Sequence, residues 1–450
     1  MIQFSNPFAK HKRDGALAFL LGALIFTGFT SGLAMEIGTV TLTLSHLFAT
    51  LLFGYLLLYA FIGRQPVAIL YKDDASLFLY LFFLSNLFSS IVFAENRLHA
   101  IKGCAAIFVY LLIYTVIRSS IRLMSSQEAT LKRFYAFNYL SAAIGLGCMV
   151  LSLYMGTENF GVSFGHLSIG TTLGVIPPSI KSLSLEPNLF SIGTAAVLCI
   201  GLARYMLDNG SWRELFVVLM LGLAVIFAYT RSVYVALLVS GVVLMILTNR
   251  IRVLRKAAAF SGAILVITFL LGIGLPDENP VRIALVERAS TLVDFGSGTG
   301  YGRMIGYRLA LESFLSNPIL GKGTFSADTK IFNPYTGVYD ERMGSPGWLT
   351  GSWIQSLHDT GIVGFVILFS LFGILLRLNY LTFLRLPVGD PSRSIVLGLL
   401  GGNIIIILAS QLSSPLWTAF PYIYWAINMA FLDYCKMRLE EYAQARDDSK

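Results

Sequence analysis

The chain has 450 residues, 56% of them hydrophobic and only 13% charged, with a mean hydropathy of +0.71. A water-soluble domain carries about a quarter charged residues, so a soluble globular fold is excluded, and recurring apolar runs of about 20 residues mark a polytopic helical membrane protein. The formal net charge of +8 sits mostly in short links between those runs, which is the distribution of a membrane protein's inside loops and not of a nucleic-acid surface.

Taken in chain order, the apolar runs predict about twelve spans, over 15–35, 40–62, 75–94, 100–117, 134–155, 188–207, 214–229, 232–248, 257–275, 361–376, 394–413 and 415–432. Lys10, Lys12 and Arg13 precede the first run, which is long enough to span and is read as a retained helix. The seventh and eighth runs have almost no link between them and are folded back near Thr230–Arg231. With the N-terminus in the cytoplasm, most Lys and Arg outside the longest polar interval, Arg118, Arg122, Lys132 and Arg133 among them, fall in inside links. Both termini are then cytoplasmic.

The expected organisation is an all-α bundle with spans one to nine in 1–275, a large outer loop over 276–360, spans ten to twelve in 361–432 and a cytoplasmic tail over 433–450. A second outer loop, about 156–187, is rich in Gly and Pro and poor in charge. The strict alternation of a β-barrel is not seen, and no internal repeat is found. Cys104, Cys148, Cys199 and Cys435 form no C-x-x-C pair and are read as buried thiols. The five histidines are scattered, so no metal site is expected; His46 lies in an apolar run and reads as a core residue.

The large loop holds the passage YGRMIGYRLALESFLSNPILGKG (Tyr301–Gly323). Tyr301, Ile305, Leu309 and Phe314, with Met304, Leu311 and Leu315, make the apolar face of an amphipathic helix, and Arg303 and Tyr307, four apart, share another. Such a helix lies at the outer membrane interface. Asn317-Pro318 ends it, and Gly321 and Gly323 allow a sharp turn, so the helix is expected to act as a lid moved on its glycines. The run GSGTGYG (Gly296–Gly302) lacks the preceding strand of a nucleotide loop, and GKG lacks the Ser or Thr that follows Lys in a phosphate loop. Arg231, in FAYTRSVYVALL, is a membrane-edge arginine; it either snorkels to headgroups or lines an anion site. Asp340 and Glu341 read as solvated loop acids.

Three segments stand in an order that resembles one known superfamily: SLEPNLFSIGTAAVLCIGLA, then YTRSVYVALLVSGVVLMIL, then GYGRMIGYRLALESFLSNPILGKG, followed by SLHDTGIVGFVILFSLFGILL with its Gly-x-x-Gly. The chain resembles, over about 185–376, the bacterial O-antigen ligase and Wzy-type polysaccharide polymerase superfamily. The resemblance implies a GT-C-like, metal-independent glycosyltransferase of the inner membrane with its active site on the periplasmic face. It implies an undecaprenyl-diphosphate-linked donor, no cofactor, membrane lipid as surroundings and, for polymerases, a chain-length regulator as partner. Arg231 and Arg303 match the family's functional arginines; Arg308 and Tyr307 are further substrate-binding candidates. Arginine suits a diphosphate leaving group because its forked, permanent charge meets the growing negative charge.

The sequence departs from the ligases at one place. They carry His-Asn eleven residues before the first Gly of Gly-x-x-Gly, and counting back from Gly361 gives Thr350-Gly351. That favours a polymerase, which joins one lipid-linked repeat to another, over a ligase acting on lipid A–core or protein. His358 and Glu186 are the candidate general bases, each weighed against a helix-end role. A twelve-helix secondary transporter is the reading from another class; it would show repeated halves and broken helices at midplane.

Overall fold

The fold is that of a computed structural model. It describes residues 15–29, 34–37, 40–63, 71–94, 97–124, 127–155, 161–164, 167–171, 180–184, 186–208, 211–249, 307–326 without 309 and 313, 330–333, 338–341 and 351–448.

Its helices are α1 (Gly15–Phe29), α2 (Leu44–Gly63), α3 (Asp74–Val92), α4 (Arg97–Leu123), α5 (Gln127–Met155), α6 (Pro187–Leu207), α7 (Trp212–Phe227), α8 (Arg231–Thr248), α9 (Ser352–Arg385), α10 (Pro391–Ala409) and α11 (Ala419–Asp448). Among the described residues, eight helices are long and apolar enough to cross a membrane: α2 to α6 and α8 to α10. The protein is therefore a polytopic helical membrane protein. Helices α1, α7 and α11 stand where three further spans were expected; the span expected over 257–275 lies outside the described residues.

Local chemistry sets the ends. Asp73 caps α3 by accepting the Ser76 N–H at 3.0 Å. Ser211 and Glu214 form a capping box on α7. Asp390 caps α10, with Pro391 in the first turn, where its missing N–H costs nothing. Helix α10 packs at the centre of the bundle against α6. Their backbones meet at Gly398, where a Cβ would come within 2.4 Å of the Ile200 Cα. Small residues at such crossings let helices approach in lipid, where no hydrophobic force drives them together.

Three small antiparallel sheets, unexpected from the sequence, lie in the connections. Strands β1 (Ala34–Ile37) and β2 (Val40–Thr43) join α1 to α2. Strands β3 (Gly161–Phe164), β4 (Leu167–Thr171) and β5 (Ile180–Ser182) lie between α5 and α6. Strands β6 (Lys330–Asn333) and β7 (Val338–Glu341) precede α9. Helix α10 meets α6 with Gly398 at Ile200 and Gly402 at Ala196, so the two run antiparallel. Helix α9 starts on the turn after α10, and His46 at the start of α2 stacks on Tyr110, whose hydroxyl donates to the Trp417 carbonyl beyond that turn, so all three sheets fall at one end of the bundle, the loop-rich end.

The opposite end is fastened by a buried arginine. Arg118, expected in a link, lies inside α4 and is 1% exposed. Its Nη1 donates to Asp73 Oδ2 (2.6 Å), Ser76 Oγ (2.9 Å) and Tyr114 Oη (3.0 Å), and its Nη2 to Asp433 Oδ2 (2.8 Å). The Tyr71 ring lies 4.0 Å from the guanidinium carbon. Arg122 reaches the same Asp433 at 3.1 Å. Two cations and two carboxylates thus neutralise one another between α3, α4 and α11.

Removing Arg118 leaves Asp73 without its cation and Asp433 with Arg122 alone. Arg118→Leu is expected to destabilise the detergent-solubilised protein by about 3 kcal/mol, read as a fall in Tm. Arg118→Lys, which keeps the charge but loses the fork, is expected to fall between it and the unmodified chain.

Candidate functional site

Helix α9 begins nine residues before the expected span, at Ser352. Gly351 precedes it at φ 123° and offers no side-chain cap. Its first donors are met by the turn after α10. Gly351 N–H donates to Ser414 Oγ (3.0 Å), and Ser352 N–H lies 2.8 Å and 2.9 Å from the Ser410 and Ser413 carbonyls. The indole N–H of Trp353 donates to the Ile407 carbonyl at 3.1 Å.

The helix is interrupted at Gly361, whose φ of 61° and ψ of −159° belong to a region open essentially to glycine alone. In an unbroken helix the N–H groups of Ile362 and Val363 would bond to the carbonyls of His358 and Asp359. Here those two N–H groups donate instead to the Pro318 and Ile319 carbonyls, at 2.9 and 3.2 Å. The released carbonyls of His358 and Asp359 accept from the N–H groups of Lys322 and Gly323, at 2.9 and 3.0 Å. Two intrahelical bonds are exchanged for four bonds to the loop. The Asn-Pro-x-x-Gly-x-Gly segment and the Gly-x-x-Gly helix are two halves of one joint. A Cβ on Gly321 would meet the Asp359 and Thr360 backbone at 2.5 Å, and one on Gly361 the Ile319 backbone at 2.5 Å. Gly321 and Gly323 do make the expected turn, at φ 70° and 94°. Both are buried and bonded, so they dock the charged helix; the expectation that they let it move as a lid is corrected.

Asp359, missed in the sequence reading, is the polar centre of the joint and is fully buried. Its carboxylate accepts from Gln355 Nε2 (2.8 Å) and from the Phe325 N–H (3.3 Å), and is 2.8 Å from His358 Nδ1. Helix α3 closes the joint from the side. Ser89 Oγ donates to the Asp359 carbonyl (2.7 Å), Thr324 Oγ1 to Asn86 Oδ1 (3.0 Å), and the Thr324 N–H to Ser90 Oγ (2.9 Å). His358 is buried, with its Nδ1 against the Asp359 carboxylate.

The described part of the charged helix runs from Tyr307 to Ser316. Ala310 is buried against Ile354 of α9, while Leu311, Leu315 and Ile319 are exposed, as suits a helix facing lipid. The Tyr307 hydroxyl donates to the Gln411 carbonyl in the turn after α10. Arg308 points outward and pairs with Glu312 at 2.8 Å; that hydrogen bond, and the carboxylate's charge after it, raise the guanidinium pKa above its ordinary value. Arg303 lies outside the described residues.

Arg231 opens α8 and is half-buried. Thr230, the residue before it, donates from Oγ1 to Asn188 Oδ1 at 3.2 Å and so ties the start of α8 to the start of α6. Glu186 stands exposed at the N-cap of α6, followed by Pro187. Among the described residues Arg231 makes no ion pair. A small cleft of mixed lining, Leu189, Phe190 and Phe420 beside Asn138, Ser141 and Thr194, opens at the same helix start, with room for about one water. The structure thus gathers Arg231 and Glu186 at one helix junction, and Tyr307, Arg308 and His358 around the start of α9. Both groups lie at the loop-rich end. Among the described residues, no cluster of His, Cys, Asp and Glu could hold a metal ion.

Residues 215–369 match the family model for O-antigen ligase, whose members are glycosyltransferases. The matched stretch runs from α7 to the first half of α9 and contains Arg231, Arg303, Tyr307, Arg308 and His358. No curated protein matches the chain.

The joint at Gly361 makes a direct prediction. Gly361→Ala is expected to cost more than about 2 kcal/mol through backbone strain and the clash with Ile319, read as lost folded yield and lowered Tm. Gly373→Ala, further along the same helix with open space around it, is expected to leave both unchanged.

Proposed function

We propose, for a chain that carries an O-antigen ligase domain, that the protein is a polymerase of lipid-linked polysaccharide repeats, acting at the loop-rich end of its bundle on the periplasmic face of a bacterial inner membrane. The donor is an oligosaccharide on undecaprenyl diphosphate and the acceptor is the sugar end of another lipid-linked repeat. The observation that carries this reading is the docking of the cationic helix onto α9 inside the matched stretch, at the end where the long connections gather.

The chemistry follows from the residue types. An acceptor hydroxyl attacks the anomeric carbon, the anomeric C–O bond to the diphosphate breaks, and the hydroxyl proton passes to a base. Arg231 and Arg303 oppose the charge that grows on the departing lipid diphosphate. His358 is the base, accepting at Nε2 while Asp359 holds the ring through Nδ1. Glu186, exposed beside the Arg231 junction, is the alternative base. Arg308 belongs to the substrate-binding end of the helix, while the Tyr307 hydroxyl is taken up by the Gln411 carbonyl. A chain-length regulator would act with the enzyme, and both termini face the cytoplasm.

The family description favours a second reading, a ligase passing finished glycan to lipid A–core or protein. Against it stands Gly351. Where the ligases carry His-Asn, this chain has Thr350-Gly351, and Gly351 is packed against the Gln411 carbonyl, where a Cβ would lie at 2.3 Å.

The test is the size distribution of surface and lipid-linked glycan in a deletion strain, with and without the gene restored. Single repeats replacing long chains are expected. Long chains stranded on undecaprenyl diphosphate would establish the ligase, and unchanged glycan would return the protein to the transporter class. Arg303→Ala at normal protein level is expected to match the deletion. Arg303→Lys should lose at least about tenfold in activity, because it keeps charge without the fork.

A further inference from the structure

The docked segment is held at both ends by different means. Its C-terminal end, Pro318–Gly323, is bonded backbone to backbone with α9. Its middle rests on the contact of Ala310 with Ile354. Its N-terminal described residue, Tyr307, reaches the Gln411 carbonyl with a side-chain hydroxyl. Gln411 belongs to the turn that also supplies the carbonyls capping α9. At that point Gly351 leaves room. A Cβ there would lie 2.3 Å from the Gln411 oxygen and 3.4 Å from the Tyr307 hydroxyl, on a backbone with φ 123°. The hydroxyl, the carbonyl and the bare glycine occupy one small volume.

We propose that Tyr307 is a positioning residue: its hydroxyl on the Gln411 carbonyl, admitted by Gly351, holds the charged helix against the α9 and α10 ends in the geometry that transfer requires. The inference rests on the reading above for the word transfer, and on the contacts alone for the tether. It also gives Gly351 a role in this chain that a side chain at that position would destroy. The hydroxyl acts through the helix and makes no contact with the reacting atoms, so its loss slows turnover and leaves substrate capture nearly intact.

The experiment uses the full chain in lipid nanodiscs, with Cys148→Ala removing the least buried native thiol. Spin labels are placed at Leu311→Cys on the exposed face of the charged helix and at Val366→Cys on the exposed face of α9. The distance distribution between them is compared with Tyr as residue 307 and in Tyr307→Phe. Turnover is measured separately, without labels, on lipid-linked repeats extracted from the deletion strain. Tyr307→Phe is expected to widen the distribution and to lower kcat about tenfold, with KM held within about twofold. Gly351→Ala is expected to widen it likewise. An unchanged distribution in Tyr307→Phe overturns the tether, and a widened distribution with unchanged kcat overturns the positioning role. Should the unmodified enzyme extend no repeats, the polymerase reading fails by itself, and the distance distribution still decides the tether.

Discussion

The constraint on which the loop-rich end depends is the satisfaction of four backbone groups at Gly361. A broken helix near a membrane leaves N–H and C=O groups with no water to meet them, at several kcal/mol each. The chain meets them with a segment whose own turn presents matching donors and acceptors, Pro318–Gly323. Because both partners are backbone, specificity comes from shape: glycine at 321 and 361, and proline to end the helix before them. Asp359 adds the polar centre, tied by the side chains of Gln355 and His358 and by the backbone N–H of Phe325. The position of the charged helix is thus a consequence of a kink in α9.

The two ends of the bundle divide the labour. At one end Arg118 and Arg122 meet Asp73 and Asp433, and charge is consumed in holding three helices together. At the other end the cation of α8, Arg231, has no acidic partner among the described residues, and the helix of the long loop turns Arg308 outward. Buried ion networks of the first kind are a weak source of stability and a strong source of registry. At the second end, Arg308 is offset by Glu312, and Arg231 is the cation that no described carboxylate meets.

Much of this was legible in the sequence. The apolar runs placed the helices, Asn317-Pro318 marked the end of the charged helix, and Gly321 and Gly323 marked a turn. The start of α9 was read too late because its cap is supplied by carbonyls from residues 410 and 413, about 60 positions on, where no local signal exists. Arg118 was read as a loop charge because its partners lie 45 and 315 residues away. The small sheets escape a sequence reading because their strands are only three to five residues long, too short for an alternating pattern to stand out. Of the candidate site residues, Arg231, Glu186, Tyr307, Arg308 and His358 could be placed, and the contacts of Asp359 and Gly351 could be found only in three dimensions.

The joint at Gly361 also dictates an order of assembly. Pro318–Gly323 leaves the ribosome about 40 residues ahead of the donors and acceptors it needs, which at roughly 5–20 residues per second is a wait of seconds. Throughout that interval the C-terminal end of the charged helix is without the backbone groups on which it docks. The joint can close only after residues 358–363 of α9 have been made, so the loop-rich end matures no earlier than α9.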